Sequence, residues 1–345
     1  MQANQPSPEK IMQIGLGFWP SKTLLAAVNL GLFTHLAASG KSSGSQIKKQ
    51  FSFQCTDRHV YDFLDTLTSF GFLQREGLLE TALYSNAAET DLFLDKKKPA
   101  YIGGILEMAN NRLYPFWGDL EAGLATGHAQ NEAKHDSDNL FDTLYASPER
   151  LKEFVHAMSG IQMGNFMLFA QQFDFSNYKT LTDAGGAGAM LSCMVAKHQP
   201  HMQCTSFDLA AVNAVAQENI GRFELAERVK TFDGDFFQSP LPAADIVVMG
   251  NILHDWDEEK KLALMKKAWE ALPEGGAFVA IENVIDDDRR KNAFGLMMSL
   301  NMLIETGVGF DYTFNDFTGW ARQAGFIETR LMPLTGPSSA AIAVK

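Results

Sequence analysis

The chain has 345 residues, 46% hydrophobic and 20% charged, an ordinary globular composition that is too long for one small core and suits two domains. Its net charge of -12 opposes general nucleic-acid binding and attachment to an anionic membrane, since both surfaces would repel it. Cys55, Cys193 and Cys204 show no CxxC spacing, so neither a disulfide framework nor a metal site is expected, and a reducing cytoplasm suits them. The start, MQANQPSPEK, lacks a basic segment leading into an apolar run. No stretch of about 18 uninterrupted apolar residues follows anywhere, and the expectation is a cytoplasmic protein with no membrane partner.

Residues 11–39 read as helix, with Leu24, Leu25, Val28, Leu32 and Phe33 on one side and Gly31 inside the run. A short helix at 45–51 and a longer one at 57–70 follow, the second placing Val60, Phe63, Leu64, Leu67 and Phe70 on one face. The segment 73–84, with Gly77 near its middle, reads as a two-stranded ribbon. Helix, helix, ribbon is the winged-helix order, which raises DNA binding. Between residues 41 and 86, however, five basic residues face five acidic ones, whereas phosphate binding calls for an excess of Lys and Arg. Dimerisation or packing is the expected role of this region. The run DKKKP at 95–99 reads as a solvated turn.

Residues 100–175 read as helices interrupted by loop at 125–139. Met158, Met163 and Met167 recur at helical spacing with Phe154 and Phe166, as core filler or as the wall of a pocket for a flat apolar ligand. From residue 179 strands and helices alternate: strands at 179–183, 203–208, 229–232, 245–249 and 277–282, helices at 189–198, 211–220 and 257–271. Such alternation implies a parallel sheet covered on both faces. Helices at 291–305 and 314–324 and a hairpin over 328–334 and 340–344 complete the chain. The fold class is therefore α/β, a Rossmann-like doubly wound sheet behind an N-terminal helical or winged-helix domain. The expected division is 1–100, a helical linker over 101–175, and 176–345.

Ligands of open α/β sheets bind at the carboxyl ends of the strands. Here those ends carry Asp183 with Gly185, Gly186 and Gly188, then Asp208, Asp235, His254 with Asp255, and Glu282. The glycine loop has no basic neighbour and fails the GxGxxG pattern, because the third glycine position is Leu191. A rim of carboxylates suits ribose hydroxyls, an amine and a positive sulfonium, which points to S-adenosylmethionine.

The segments DAGGAGAML, TSFDLA, GDFF, LHDWDEE, LPEGGAFVAIE and SLNMLIETG resemble, in order and spacing, the metal-independent small-molecule O-methyltransferases that include the plant caffeate and animal acetylserotonin enzymes. The resemblance runs over nearly the whole chain, and it implies a class I methyltransferase acting on a small aromatic acceptor as a homodimer. It places Gly185 against the methionine part of the cofactor, Asp208 at the ribose, and Asp235 with Phe236 at the adenine. It makes His254 the general base, held by Glu282 and Asp311. Asn165, Asn301 and Glu305 are candidate groups for orienting the acceptor.

The loop departs from the family's DxGGGxG at Ala187 and Ala189, where a methyl group resists positive φ. Gly188 is then expected to restore freedom one residue along. Ala210 replaces the customary proline, Gly250 lacks a basic side chain found in some relatives, and Tyr312 stands where Arg is common. The alternatives are N-methylation, a relative with the altered loop that runs a non-methylating reaction or only binds its ligand, and a transcription regulator using the winged helix.

Overall fold

In the computed structural model, which describes residues 6–98, 100–132 and 148–345, the chain divides into two units, 1–114 and 115–345. The expected loop at 125–139 lies outside the described residues from 133 onward. Among the described residues, no helix is long and apolar enough to cross a membrane.

The first unit opens with α1 (Glu9–Gly15), α2 (Phe18–Leu30) and α3 (Leu32–Ser39). The run expected as one helix is split at Gly31, whose φ of +75 ends α2 in a left-handed cap at no steric cost. The short β1 (Ser42–Ser43) leads to α4 (Gly44–Gln50), started by a capping box between Ser43 and Gln46. In α5 (Asp57–Ser69), capped by Thr56, Val60, Leu64 and Leu67 are buried, as their spacing requires. Phe70, expected on the same face, is 51% exposed because it stands at the C-cap, where the chain has already left the helix. The ribbon is β2 (Leu73–Glu76) and β3 (Leu83–Asn86), and β1 extends it on the β3 side. After α6 (Ala88–Phe93), the run DKKKP departs from a solvated turn. Asp95 is buried and accepts from the Lys97 backbone N–H, while Lys96 pairs with Glu107 of α7 (Gly103–Met108) and Lys98 with Asp91.

The second unit begins with α8 (Leu120–Thr126) and α9 (Pro148–Gln172). It then runs β4 (Thr180–Ala184), α10 (Met190–His198), β5 (Gln203–Asp208), α11 (Ala210–Arg222), β6 (Val229–Asp233) and β7 (Ile246–Gly250). The remainder is α12 (Glu258–Ala271), β8 (Ala277–Glu282), α13 (Ala293–Glu305), α14 (Phe314–Ala324), β9 (Glu328–Pro333) and β10 (Ser339–Val344). The sheet order is β6-β5-β4-β7-β8-β10-β9, with the first five strands parallel and β10 antiparallel to both neighbours.

Strand β8 shows why both faces are covered. Ala277, Val279 and Ile281 enter one core with Phe169, Leu191 and Val195, and Phe278 and Ala280 enter the other with Leu264, Met265 and Phe317. A strand with no solvated face reads as an unbroken apolar run. Each large aliphatic side chain buried this way stabilises by about 1.5–3 kcal/mol. The chain leaves β4 for β5 and β6 on one side and returns to β7 on the other, so a crevice opens at the carboxyl ends of β4 and β7.

Candidate active site

The glycine loop closes over the end of β4. Gly185 has φ +75, and a Cβ there would stand 2.4 Å from Ile252 Cδ1 and 3.6 Å from Phe236 Cε1. A Cβ on Gly186 would lie 2.3 Å from Ser206 Oγ, so this glycine is required by close approach to β5. Ala187 and Ala189 hold φ of +46 and +56, the left-handed turn that glycine would take freely. Gly188 does not supply the expected freedom, since its φ is not positive. Its Cβ would meet Asn219 Nδ2 at 2.9 Å and Ser159 Oγ at 3.0 Å, and its smallness lets the loop pack against α11 and α9.

Asp183 lies beneath this loop and away from the rim, buried and accepting from Ser192 Oγ at 3.1 Å, and burial pushes it up to about 7. Asp208 ends β5 at the loop itself. Its two oxygens accept from the backbone N–H of Ala187 at 2.9 Å and of Leu209 at 2.7 Å. Burial raises its proton affinity and those two donors pull the other way. Asp235 Oδ1 accepts from Phe237 N at 2.7 Å, closing a turn over residues 235–239. That turn holds Phe236 against Gly185 and Phe237 against Trp256, ring centroids 4.7 Å apart.

Beyond β7, a 3-10 turn over Leu253–Asp255 carries the imidazole. His254 is 4% exposed, with Nδ1 3.4 Å from Asp311 Oδ2 and Nε2 3.5 Å from Asp255 Oδ1. Glu282 does a different job: its Oε1 accepts from the backbone N–H of both Ile252 and His254 at 3.1 Å, fixing the turn and leaving the ring to the two aspartates. Burial opposes the imidazolium, but Asp311 and Asp255, with Glu282 behind them, outweigh it and hold His254 up to about 10. Burial also raises Asp255, to about 7, and Glu282. Gly309 allows the following segment to lie on this turn, because a Cβ there would be 2.5 Å from the His254 carbonyl oxygen.

Four residues here escaped the sequence reading. Lys261 is fully buried, its Nζ donating to the Trp256 carbonyl and sitting 3.5 Å from the Phe310 ring centroid. Its acidic and basic sequence neighbours suggest solvent, but it shares one helical face with the buried Leu264, Met265 and Ala268, and that spacing was the available signal. Lys267 donates to three carbonyls of the 235–239 turn. Ile252 fills the space opposite Gly185. Asn251 leaves β7 at φ +53, and its buried Oδ1 has no hydrogen-bond partner among the described residues.

The three acceptor-orienting candidates part company. Asn165 is structural, accepting from Thr335 N at 3.1 Å and donating to Gln162 at 2.7 Å. Asn301 accepts from Trp117 Nε1 at 2.8 Å, and Glu305 is buried with its carbonyl bonded to Asn131. Of the methionines, Met163 packs against the core with Phe166, whereas Met167 is exposed.

These residues fit S-adenosylmethionine. The crevice offers a loop stripped of side chain at Gly185, an aromatic edge at Phe236, a carboxylate at Asp208 and no cation in the loop, which suits a ribose and a positive sulfonium and would serve a pyrophosphate poorly. Residues 117–327 match the O-methyltransferase domain, and residues 12–96 the O-methyltransferase dimerisation domain. The tetracenomycin polyketide synthesis 8-O-methyl transferase TcmO of Streptomyces glaucescens is 35% identical over 338 residues, 98% of this chain and 97% of that one. The 3-hydroxy-5-methyl-1-naphthoate 3-O-methyltransferase of Streptomyces sahachiroi is 31% identical over 96% of this chain and 93% of its own. The crystal structure of human N-acetylserotonin methyltransferase in complex with SAM matches with a TM-score of 0.89 at 26% identity, covering 100% of this chain and 99% of that one. The chain belongs to the S-adenosylmethionine-dependent O-methyltransferase family.

Proposed function

We propose that this enzyme methylates a hydroxyl of a small, flat aromatic acceptor of the secondary-metabolite kind, with His254 as general base and Gly185, Asp208, Asp235 and Phe236 around the cofactor. The observation that carries the reading is the buried imidazole of His254 between two aspartates, in the turn just past the carboxyl end of β7. S-adenosylmethionine supplies the methyl group, on a positively charged sulfonium. An ordinary imidazole, near 6.5, is a weak base toward a phenol near 10. Held up to about 10 by its carboxylates, His254 matches a phenol in proton affinity, so the transfer itself is nearly thermoneutral once the ring has reached its neutral form, which rising pH favours. Asp311 at Nδ1 orients the ring and stabilises the imidazolium that forms, and Glu282 keeps the turn in place.

The two bacterial relatives, named for a polyketide and a naphthoate, favour a fused-ring phenol as acceptor. Part of the pocket wall is assigned to α9 and α13. Two copies pair through the N-terminal unit, where Ile11, Ile14, Phe18 and Trp19 are exposed, and the enzyme works in the cytoplasm without membrane or nucleic acid.

The test is transfer of labelled methyl from S-adenosylmethionine to a panel of hydroxynaphthoates, phenols and their amine analogues. Label in the phenols is expected. Label only in the amines makes the protein an N-methyltransferase, and cofactor binding without any transfer favours the binding-only alternative.

A further inference from the structure

Lys267 stands in the third turn of α12, well away from the imidazole in sequence, and its ammonium reaches the carbonyls of Phe236 at 2.7 Å, Phe237 at 2.8 Å and Ser239 at 3.0 Å. An ammonium has three donors, and here each has a backbone acceptor. The same turn is closed from inside by Asp235, whose Oδ1 accepts from Phe237 N and whose carbonyl accepts from Gln238 N and Ser239 N at 3.0 and 2.7 Å. The N–H groups of the turn are therefore gathered on Asp235 and its carbonyls on Lys267. With both sets engaged, the backbone of 235–239 is tied at its N–H groups and at its carbonyls, and in that arrangement Phe236 Cε1 lies 3.6 Å from where a Gly185 Cβ would stand.

The helix that carries Lys267 begins directly after the His254 turn. Asp257 caps it by accepting from Lys260 N at 2.9 Å, and Lys261 in its first turn holds the Trp256 carbonyl. Helix α12 thus acts as a strut, with one lysine on the turn bearing the imidazole and another on the turn bearing Phe236.

We propose that Lys267 is a positioning residue for the cofactor: by gathering three carbonyls it fixes the 235–239 turn and the ring edge that Phe236 offers to the crevice. This rests on the reading that Phe236 borders the cofactor. A positioning group that lowers the ordering cost of a binding loop contributes affinity without touching the ligand.

The test is calorimetric binding of S-adenosylhomocysteine to the full-length protein, alongside KM and kcat for S-adenosylmethionine. Lys267→Met is expected to weaken binding about tenfold and raise KM to match, with kcat at saturating cofactor within about twofold of the parent. Lys267→Arg, which keeps the charge and the donors, is expected to recover most of the affinity. In Phe236→Ala the further loss from Lys267→Met should shrink to less than about threefold, because both act through one ring. Unchanged affinity in Lys267→Met overturns the proposal, as does a kcat loss without a KM change. Loss of folded protein in both Lys267 variants assigns the residue to the scaffold and overturns it as well. Should Phe236→Ala bind as the parent does, the assignment of Phe236 to the cofactor fails first.

Discussion

The carboxylates at the ends of β4 and β5 differ in kind from the two aspartates that face the imidazole beyond β7. Asp183 accepts from a serine hydroxyl, and Asp208 and its near neighbour Asp235 accept from backbone N–H groups, so each holds the loop or turn beside it. At the other end Asp255 and Asp311 crowd one imidazole, and Asp311 Oδ1 is buried with no hydrogen-bond partner among the described residues. The first arrangement uses acids as connectors to make a shape. The second concentrates negative potential where a proton has to be moved. A binding cradle needs its polar groups satisfied before the ligand arrives, whereas a base needs a field that is not already spent on structure.

The largest expected effect removes the imidazole. His254→Gln should lower kcat by about 10²–10⁴-fold while leaving S-adenosylhomocysteine binding within about twofold, because the lesion falls on the proton-moving side alone. Equal losses in both measurements would erase the distinction between the two ends. Gly185→Val is the converse. Its φ of +75 and the 2.4 Å approach of Ile252 to the site of a Cβ leave no relaxed place for a branched side chain, and cofactor affinity should fall at least about tenfold. A valine that binds cofactor normally would mean that the crevice does not run past this loop.

Asp311→Asn sharpens the electrostatic side. With His254 held up to about 10, kcat/KM for a phenol should rise with pH well beyond the 6.5 of a free imidazole. Removing Asp311 should move that rising limb toward acid by about one pH unit and lower kcat by about tenfold. Stability follows with a definite sign. The folded state binds the His254 proton more tightly than the unfolded chain, so the stabilisation is complete below pH 6.5 and is lost as pH rises through about 10. Asp255, raised to about 7, works in the same sense between about 4 and 7. Thermal denaturation from pH 6 to 10 should show a smaller decline in the asparagine variant. An unchanged slope would mean that Asp311 is not what holds the proton.

The same contrast explains how much could be read from the chain alone. Strand β8 was legible to the residue, because a buried parallel strand is a short apolar run with an acid at its end; β5, QCTSFD, is mixed in polarity but also ends in an acid, and the rim followed from the strand-end rule. Side-chain partners were not legible. Glu282 gripping two backbone N–H groups, Lys261 inside the core and Asp95 buried in a lysine run all depend on contacts between segments far apart in sequence, and composition averages such contacts away. Gly188 shows the reverse failure: the pattern suggested backbone freedom, where tertiary packing against α9 and α11 demanded a missing side chain.

The smallest effect concerns the loop's departure from glycine. Ala187 at φ +46 carries strain of about 1–2 kcal/mol for an L-residue, and yet its N–H still donates to Asp208 at 2.9 Å. Ala187→Gly relieves the strain but gives the unfolded chain more freedom, worth about 0.4–1 kcal/mol against folding. The two nearly offset, and the net expectation is a gain of about 0.5 kcal/mol, or about 1–2 °C in Tm for a unit of this size. Cofactor affinity should change less than about threefold, since the donor to Asp208 is backbone and survives the substitution. Ala189 is the harder case, because it is completely buried and its methyl fills core space as well as resisting the turn. Ala189→Gly should therefore destabilise where Ala187→Gly does not. If both variants gained stability together, strain alone would govern the loop, and the packing of Ala189 against the neighbouring core would contribute nothing.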